Sequence, residues 1–82
     1  MNAPKTILIV EDHDESRFLY GEILRIEDYE VQETADGREA LDYLSAHPAP
    51  NLIVMDLTFP YMSAKEFVDE LRKDEKWAQI PL

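Results

Sequence analysis

The sequence predicts an α/β protein with a doubly wound parallel sheet. Strand-like and helix-like segments alternate along its 82 residues. Two strand-like segments, residues 6–10 and 52–55, are apolar without polar alternation, which is typical of strands covered by helices on both faces. Each of these segments ends in a carboxylate.

The first strand covers residues 6–10 and leads directly into Glu11 and Asp12. A short acidic loop follows, in which we predict that Asp14 caps the first turn of helix one. The predicted apolar stripe of this helix consists of Leu19, Ile23 and Ile26, joined by Phe18 and Leu24.

Gly21 lies inside helix one at a cost of roughly 1 kcal/mol relative to alanine, so we hypothesise close packing against a neighbour. The helix ends at Glu27 and Asp28. Residues 29–35 then alternate with a strong polar admixture, which indicates an edge strand.

Capping boxes open the next two helices, Asp36 with Glu39 in helix two and Ser63 with Glu66 in helix three. The residues predicted to face inward are Ala40, Leu41 and Leu44 in helix two and Ala64, Phe67, Val68 and Leu71 in helix three. Residues 73–79 form a polar connector, and residues 80–82 resemble the start of a fourth strand.

The third strand, residues 52–55, ends at Asp56. In open α/β sheets, ligands bind beyond the carboxyl ends of the strands. If the first and third strands are parallel neighbours, Glu11, Asp12 and Asp56 meet there, and carboxylates that close repel one another unless a cation intervenes. Oxygen ligands of this kind suit magnesium.

Composition limits the function classes. The length allows one small domain. A net charge of -10 disfavours broad electrostatic contact with nucleic acid or anionic lipid. The absence of cysteine excludes disulfides and thiolate metal sites. No segment has the length of a membrane span, and the amino terminus does not read as a signal peptide, so we expect a cytoplasmic protein.

The motifs together resemble the receiver domain of bacterial two-component response regulators. They are Glu11-Asp12 after the first strand, Arg17 early in helix one, the Asp-Gly-Arg-Glu-Ala-Leu sequence at residues 36–41, and Asp56 followed four residues later by Pro60. The resemblance covers essentially residues 1–82 as one receiver domain. It implies a flavodoxin-like fold with strand order 2-1-3 and a strand-four stub, the amino-terminal three βα units of the family fold.

The resemblance also implies a function in phosphorelay signal transduction. Asp56 would accept a phosphoryl group from a histidine kinase or phosphotransfer protein. Magnesium would be held by Glu11, Asp12, Asp56 and the backbone carbonyl of Thr58, with Asp12 binding directly and Glu11 through water. Such a receiver assists its own phosphorylation and is not a turnover enzyme.

The sequence departs from the family pattern in three places. Ala64 stands where the family usually has glycine, and Glu27-Asp28 stands where it usually has Leu-Gly, although aspartate can adopt a left-handed helix end. The hydroxyl residue and lysine of the family's strands four and five have no counterpart before Leu82, so we expect phosphoryl transfer to be slow.

The third departure also predicts assembly. The third strand would have a bare edge, because residues 80–82 are short and Pro81 lacks an amide to donate. We therefore expect a homodimer or larger homo-oligomer, joined through the strand-three edge or by exchange of the carboxyl-terminal segment.

Several alternatives remain open from the sequence. A haloacid dehalogenase phosphatase would need a second acid at Thr58, and a nucleotide-binding ATPase would need a glycine-lysine phosphate loop. The principal rival is a degenerate receiver that acts as a phosphorylation-independent interaction module. His13 and Lys65 are interpreted as solvated residues. The remaining open residues, Tyr61, Met62 and Trp77, form either a partner patch or a cover over the core.

Overall fold

A computed structural model describes residues 4–55 and 62–82 of the chain. The elements follow one another as β1 (Thr6–Val10), α1 (Asp14–Ile26), β2 (Glu30–Thr34), α2 (Gly37–Ala46), β3 (Leu52–Met55) and α3 (Ala64–Lys73). The strands form one parallel sheet in the order β2-β1-β3. The predicted fold class, strand order and edge position of β2 are confirmed.

The principal core lies between the sheet and the helices α2 and α3. Its buried members are Leu8, Val10, Ala40, Leu44, Ile53, Phe67, Leu71 and Ile80. Met62 and Trp77 are partly buried and pack against this core, so both serve as its cover. Tyr61 lies outside the described residues. The side chains of Ile7 and Ile9 alternate with those of Leu8 and Val10 and are buried on the opposite face of the sheet.

Helix α1 does not bury the apolar stripe that its sequence predicts. Leu19, Ile23 and Ile26 are 55%, 51% and 77% exposed, and Gly21 is the buried residue of the helix. This prediction was wrong. A 3.6-residue period identifies an apolar face, but the orientation of the helix on the sheet decides whether that face is covered. Here α1 contacts β2 through Gly21 and through the side chains of Arg17 and Arg25, which approach Glu33.

Gly21 is close to the ion pair between Arg25 of α1 and Glu33 of β2. A Cβ atom at this position would lie 2.7 Å from Oε2 of Glu33 and 3.0 Å from Nη1 of Arg25. The hypothesis that Gly21 permits close packing is therefore confirmed, with Glu33 as the neighbour.

Side-chain caps open α2 and α3. An Oδ1 atom of Asp36 accepts from the amide of Glu39 at 2.8 Å, and Oγ of Ser63 accepts from the amide of Glu66 at 3.1 Å, as predicted. The prediction for Asp14 was wrong. His13 occupies the cap position of α1 without a side-chain cap bond. Asp14 is already the first helical residue.

The carboxyl end of α1 forms a Schellman motif around Asp28. This residue has a φ of 69°. Its amide donates to the carbonyl of Arg25 at 3.0 Å, and the amide of Tyr29 donates to the carbonyl of Leu24 at 3.2 Å. The expectation that aspartate replaces glycine in a left-handed helix end is confirmed.

The segment 80–82 contacts the edge of β3. Ile80 is 5% exposed and belongs to the core. The carbonyl of Pro81 accepts from the amide of Ile53 at 3.0 Å. The expected bare edge was therefore wrong at this position. The missing amide of Pro81 is not an obstacle, because Pro81 meets β3 with its carbonyl group.

Candidate functional site

Two acid-terminated strands end side by side. Val10, the last residue of β1, is the register partner of Met55, the last residue of β3. Glu11 and Asp12 follow Val10 at the carboxyl edge of the central strand. The other predicted site residues, Asp56 and Thr58, lie outside the described residues, as does Pro60.

Glu11 is held firmly at this edge. It is 6% exposed. Its amide donates to the carbonyl of Thr34 on β2 at 3.0 Å, and its carbonyl accepts from Nη1 of Arg17 at 2.8 Å. Its carboxylate Oε1 accepts from the amide of His13 at 3.2 Å. The turn after β1 therefore has bonds to the neighbouring strand, to α1 and to itself.

Asp12 lies in the middle of this turn and is exposed. One fixed and one solvent-accessible carboxylate, adjacent in the chain, offer only oxygen donors, so their chemistry fits a hard divalent cation. Within residues 4–55 and 62–82, no group of three acidic or histidine side chains forms a metal cluster.

Arg17 joins the acidic turn to the edge strand. Besides the Glu11 carbonyl, it binds the carboxylate of Asp14 and approaches Oε1 of Glu33 with its Nε at 4.0 Å. Oε2 of Glu33 pairs with Nη2 of Arg25 at 2.9 Å. The sequence indicated Arg17 as a motif residue but did not indicate these contacts. Its partner Glu33 lies on β2, far from Arg17 in the chain.

Of the two residues interpreted as solvated, His13 contributes its backbone amide to this turn, and Lys65 lies on α3. The His13 side chain is exposed. Nζ of Lys65 pairs with Oδ2 of Asp69 at 2.8 Å along α3. The hydrogen bond and the charge of Asp69 raise the pKa of Lys65 above its ordinary value.

The sequence matches the family model of the response regulator receiver domain over residues 7–82. The chain belongs to this family. It is 35% identical over 79 residues to the polar-differentiation response regulator DivK of Brucella anthropi, covering 96% of this chain and 63% of that protein. The chain thus spans less than two thirds of this relative.

Solved receiver structures have the same fold. The chemotaxis response regulator CheY4 of Vibrio cholerae matches with a TM-score of 0.91 and 30% identity, over 96% of this chain and 65% of that one. The receiver domain of the sensor histidine kinase PA1611 from Pseudomonas aeruginosa PAO1 matches with a TM-score of 0.88 and 28% identity, over 96% and 64%. The latter was solved with a magnesium ion coordinated in its active site cleft.

The helices of the described ranges are too short or too polar to cross a membrane.

Proposed function

We propose that this chain is a phosphorelay receiver in which Asp56 accepts a phosphoryl group from a histidine kinase or phosphotransfer protein. The observation that carries the proposal is the register of Val10 with Met55, because these residues directly precede Glu11 and Asp56 in the chain. Residues 1–82 act as one domain in this proposal. A receiver of this kind is a signalling regulator and not a turnover enzyme.

The chemistry is a phosphoryl exchange between two nucleophiles. A carboxylate oxygen of Asp56 forms a bond to phosphorus as the bond from phosphorus to the donor nitrogen breaks, and the donor imidazole leaves. The product is an acyl phosphate. The transferring group carries negative charge, so catalysis depends on positioning and on neutralising that charge.

Glu11, Asp12, Asp56 and the carbonyl of Thr58 would hold Mg²⁺, which supplies charge neutralisation for the phosphoryl oxygens. The fixed Glu11 and the exposed Asp12 support this assignment. Asp12 can approach a cation directly, whereas the buried Glu11 is suited to a contact through water. The magnesium-bound PA1611 receiver is a similar protein with such an ion.

Intact-mass measurement tests the acceptor. The chain is incubated with Mg²⁺ and a small nitrogen-linked phosphodonor, beside Asp56→Asn and His13→Gln. We expect a gain of one phosphoryl group in the wild type and in His13→Gln, and none in Asp56→Asn. A gain that persists in Asp56→Asn would refute the acceptor assignment.

The alternative of a phosphorylation-independent interaction module is less favoured, because the acidic pair is retained and held in place. A homodimer or larger homo-oligomer, joined across the β3 edge or by exchange of the carboxyl-terminal segment, remains a prediction, although the bond from Ile53 to Pro81 occupies one amide of that edge. Sedimentation at micromolar concentration tests it, and a stable monomer would contradict it. The cytoplasmic location is likewise proposed.

A further inference from the structure

We propose that Arg17 is the positioning residue of the acidic turn and sets the magnesium affinity of the site. The inference rests on the proposed function, since it concerns the same metal. It starts from the bond between Nη1 of Arg17 and the carbonyl of Glu11, which is 2.8 Å long.

Glu11 is the first residue after β1 and is 6% exposed. Buried backbone acceptors are hydrogen-bonded in folded proteins. Arg17 supplies a charged donor, and hydrogen bonds to charged donors are stronger than neutral ones. Because Asp12 is the next residue, the direction of this carbonyl constrains the peptide that carries Asp12.

The guanidinium group is itself fixed from several sides. Arg17 is 19% exposed in its side chain, and it also contacts the carboxylates of Asp14 and Glu33. A planar group with five donors can meet such a set of acceptors at once, whereas a lysine ammonium is a single point.

Charge and positioning predict opposite effects on the metal. Arg17 is a cation close to the acidic turn. Removal of its charge makes the electrostatic potential at Glu11 and Asp12 more negative, which by itself should tighten the binding of a divalent cation. If Arg17 positions the turn, its removal loosens the ligands and weakens binding. Residues that orient metal ligands typically contribute about 10–100-fold in affinity.

The experiment titrates Mg²⁺ calorimetrically into the wild type, Arg17→Gln, Arg17→Lys and Arg25→Gln. The last variant is the matched control, because it removes one charge from α1 and a Glu33 partner without touching Glu11. A second readout is amide hydrogen exchange of His13 in metal-free protein, since this amide bonds to the Glu11 carboxylate.

We expect both Arg17 variants to bind Mg²⁺ about 10-fold more weakly or worse, with faster exchange at His13 and little change in the control. Arg17→Lys keeps the charge and carries the test if Arg17→Gln does not fold. Unchanged or tighter binding in the Arg17 variants would overturn the proposal, as would equal weakening in Arg25→Gln. If the wild type binds no Mg²⁺, the metal assignment fails, and unchanged exchange at His13 would show separately that Arg17 does not hold the turn.

Discussion

The amide of Ile53 on β3 donates a hydrogen bond to the carbonyl of Pro81, at 3.0 Å, and thereby ties the carboxyl-terminal segment to the sheet. Arg72 holds the same segment from α3. Its Nη1 donates to the carbonyl of Ala78 at 2.7 Å and approaches those of Trp77 and Ile80 at 3.4 Å. The Arg72 side chain therefore contacts three backbone carbonyls of a segment that is neither helix nor strand.

Arg72→Gln is expected to release this segment. Loss of this exposed charged hydrogen bond should lower the free energy of unfolding by about 1.5 kcal/mol, the lower end of the usual range, and the Ile53 amide should exchange faster. The control is Lys73→Gln, which removes an exposed pair with Glu70 and should cost under about 1 kcal/mol. Equal stability of the two variants would contradict the role of Arg72.

Asp28→Gly should stabilise the chain. With a φ of 69°, Asp28 has a conformation that glycine adopts without steric cost, so the free energy of unfolding should rise by about 0.5–1 kcal/mol in urea titrations. Glu27→Gly is the matched control, since Glu27 has a φ of -87° and gains nothing from glycine. A loss of stability in Asp28→Gly would show that its side chain matters more than its backbone.

Gly21→Ala should not raise the free energy of unfolding by the roughly 1 kcal/mol that alanine normally contributes relative to glycine inside a helix. The new Cβ would meet the Glu33 carboxylate at 2.7 Å and displace it from Arg25. Removing the obstacle in Gly21→Ala/Glu33→Ala should restore the helical gain relative to Glu33→Ala. Equal gains with and without Glu33, measured by urea unfolding, would exclude this contact as the reason for Gly21.

Asp12→Ala should weaken Mg²⁺ binding more than Glu11→Ala, and by at least about 10-fold. Asp12 is exposed and can therefore bind a cation directly. Because it is exposed, its replacement should also leave the midpoint of unfolding nearly unchanged in metal-free protein. Glu11 is buried and bonded to His13, so Glu11→Ala should lower stability as well. Undiminished affinity in both variants would remove the acidic pair from the site.

Asp69→Asn should lower the pKa of Lys65 toward its ordinary value, because the hydrogen bond and charge of Asp69 raise it. A raised pKa means that the pair stabilises the fold below the unfolded pKa of Lys65, and that this contribution is lost as pH rises through the folded value. The pair is exposed, so the effect on stability should be small. NMR titration of Nζ of Lys65 measures this pKa in both proteins. An unchanged pKa in Asp69→Asn would exclude Asp69 as the cause of the shift.

The sequence alone determined the alternation of strands and helices, the parallel sheet that follows from this alternation and the acidic end of β1. These come from local signals, namely apolar runs and capping residues such as Asp36 and Ser63. The strand order and the left-handed helix end at Asp28 came from the comparison with the receiver family pattern. The acidic pair was found because a carboxylate after a buried strand is visible in the chain itself.

Only the tertiary structure decided which face of α1 is covered and what holds the carboxyl-terminal segment. The exposure of Ile26 and the contacts of Arg17 and Arg72 depend on groups from other elements, and helix periodicity does not specify such partners. Pro81 illustrates the same limit. Its missing amide was evident from the sequence, but only the three-dimensional arrangement showed that its carbonyl is the group facing Ile53.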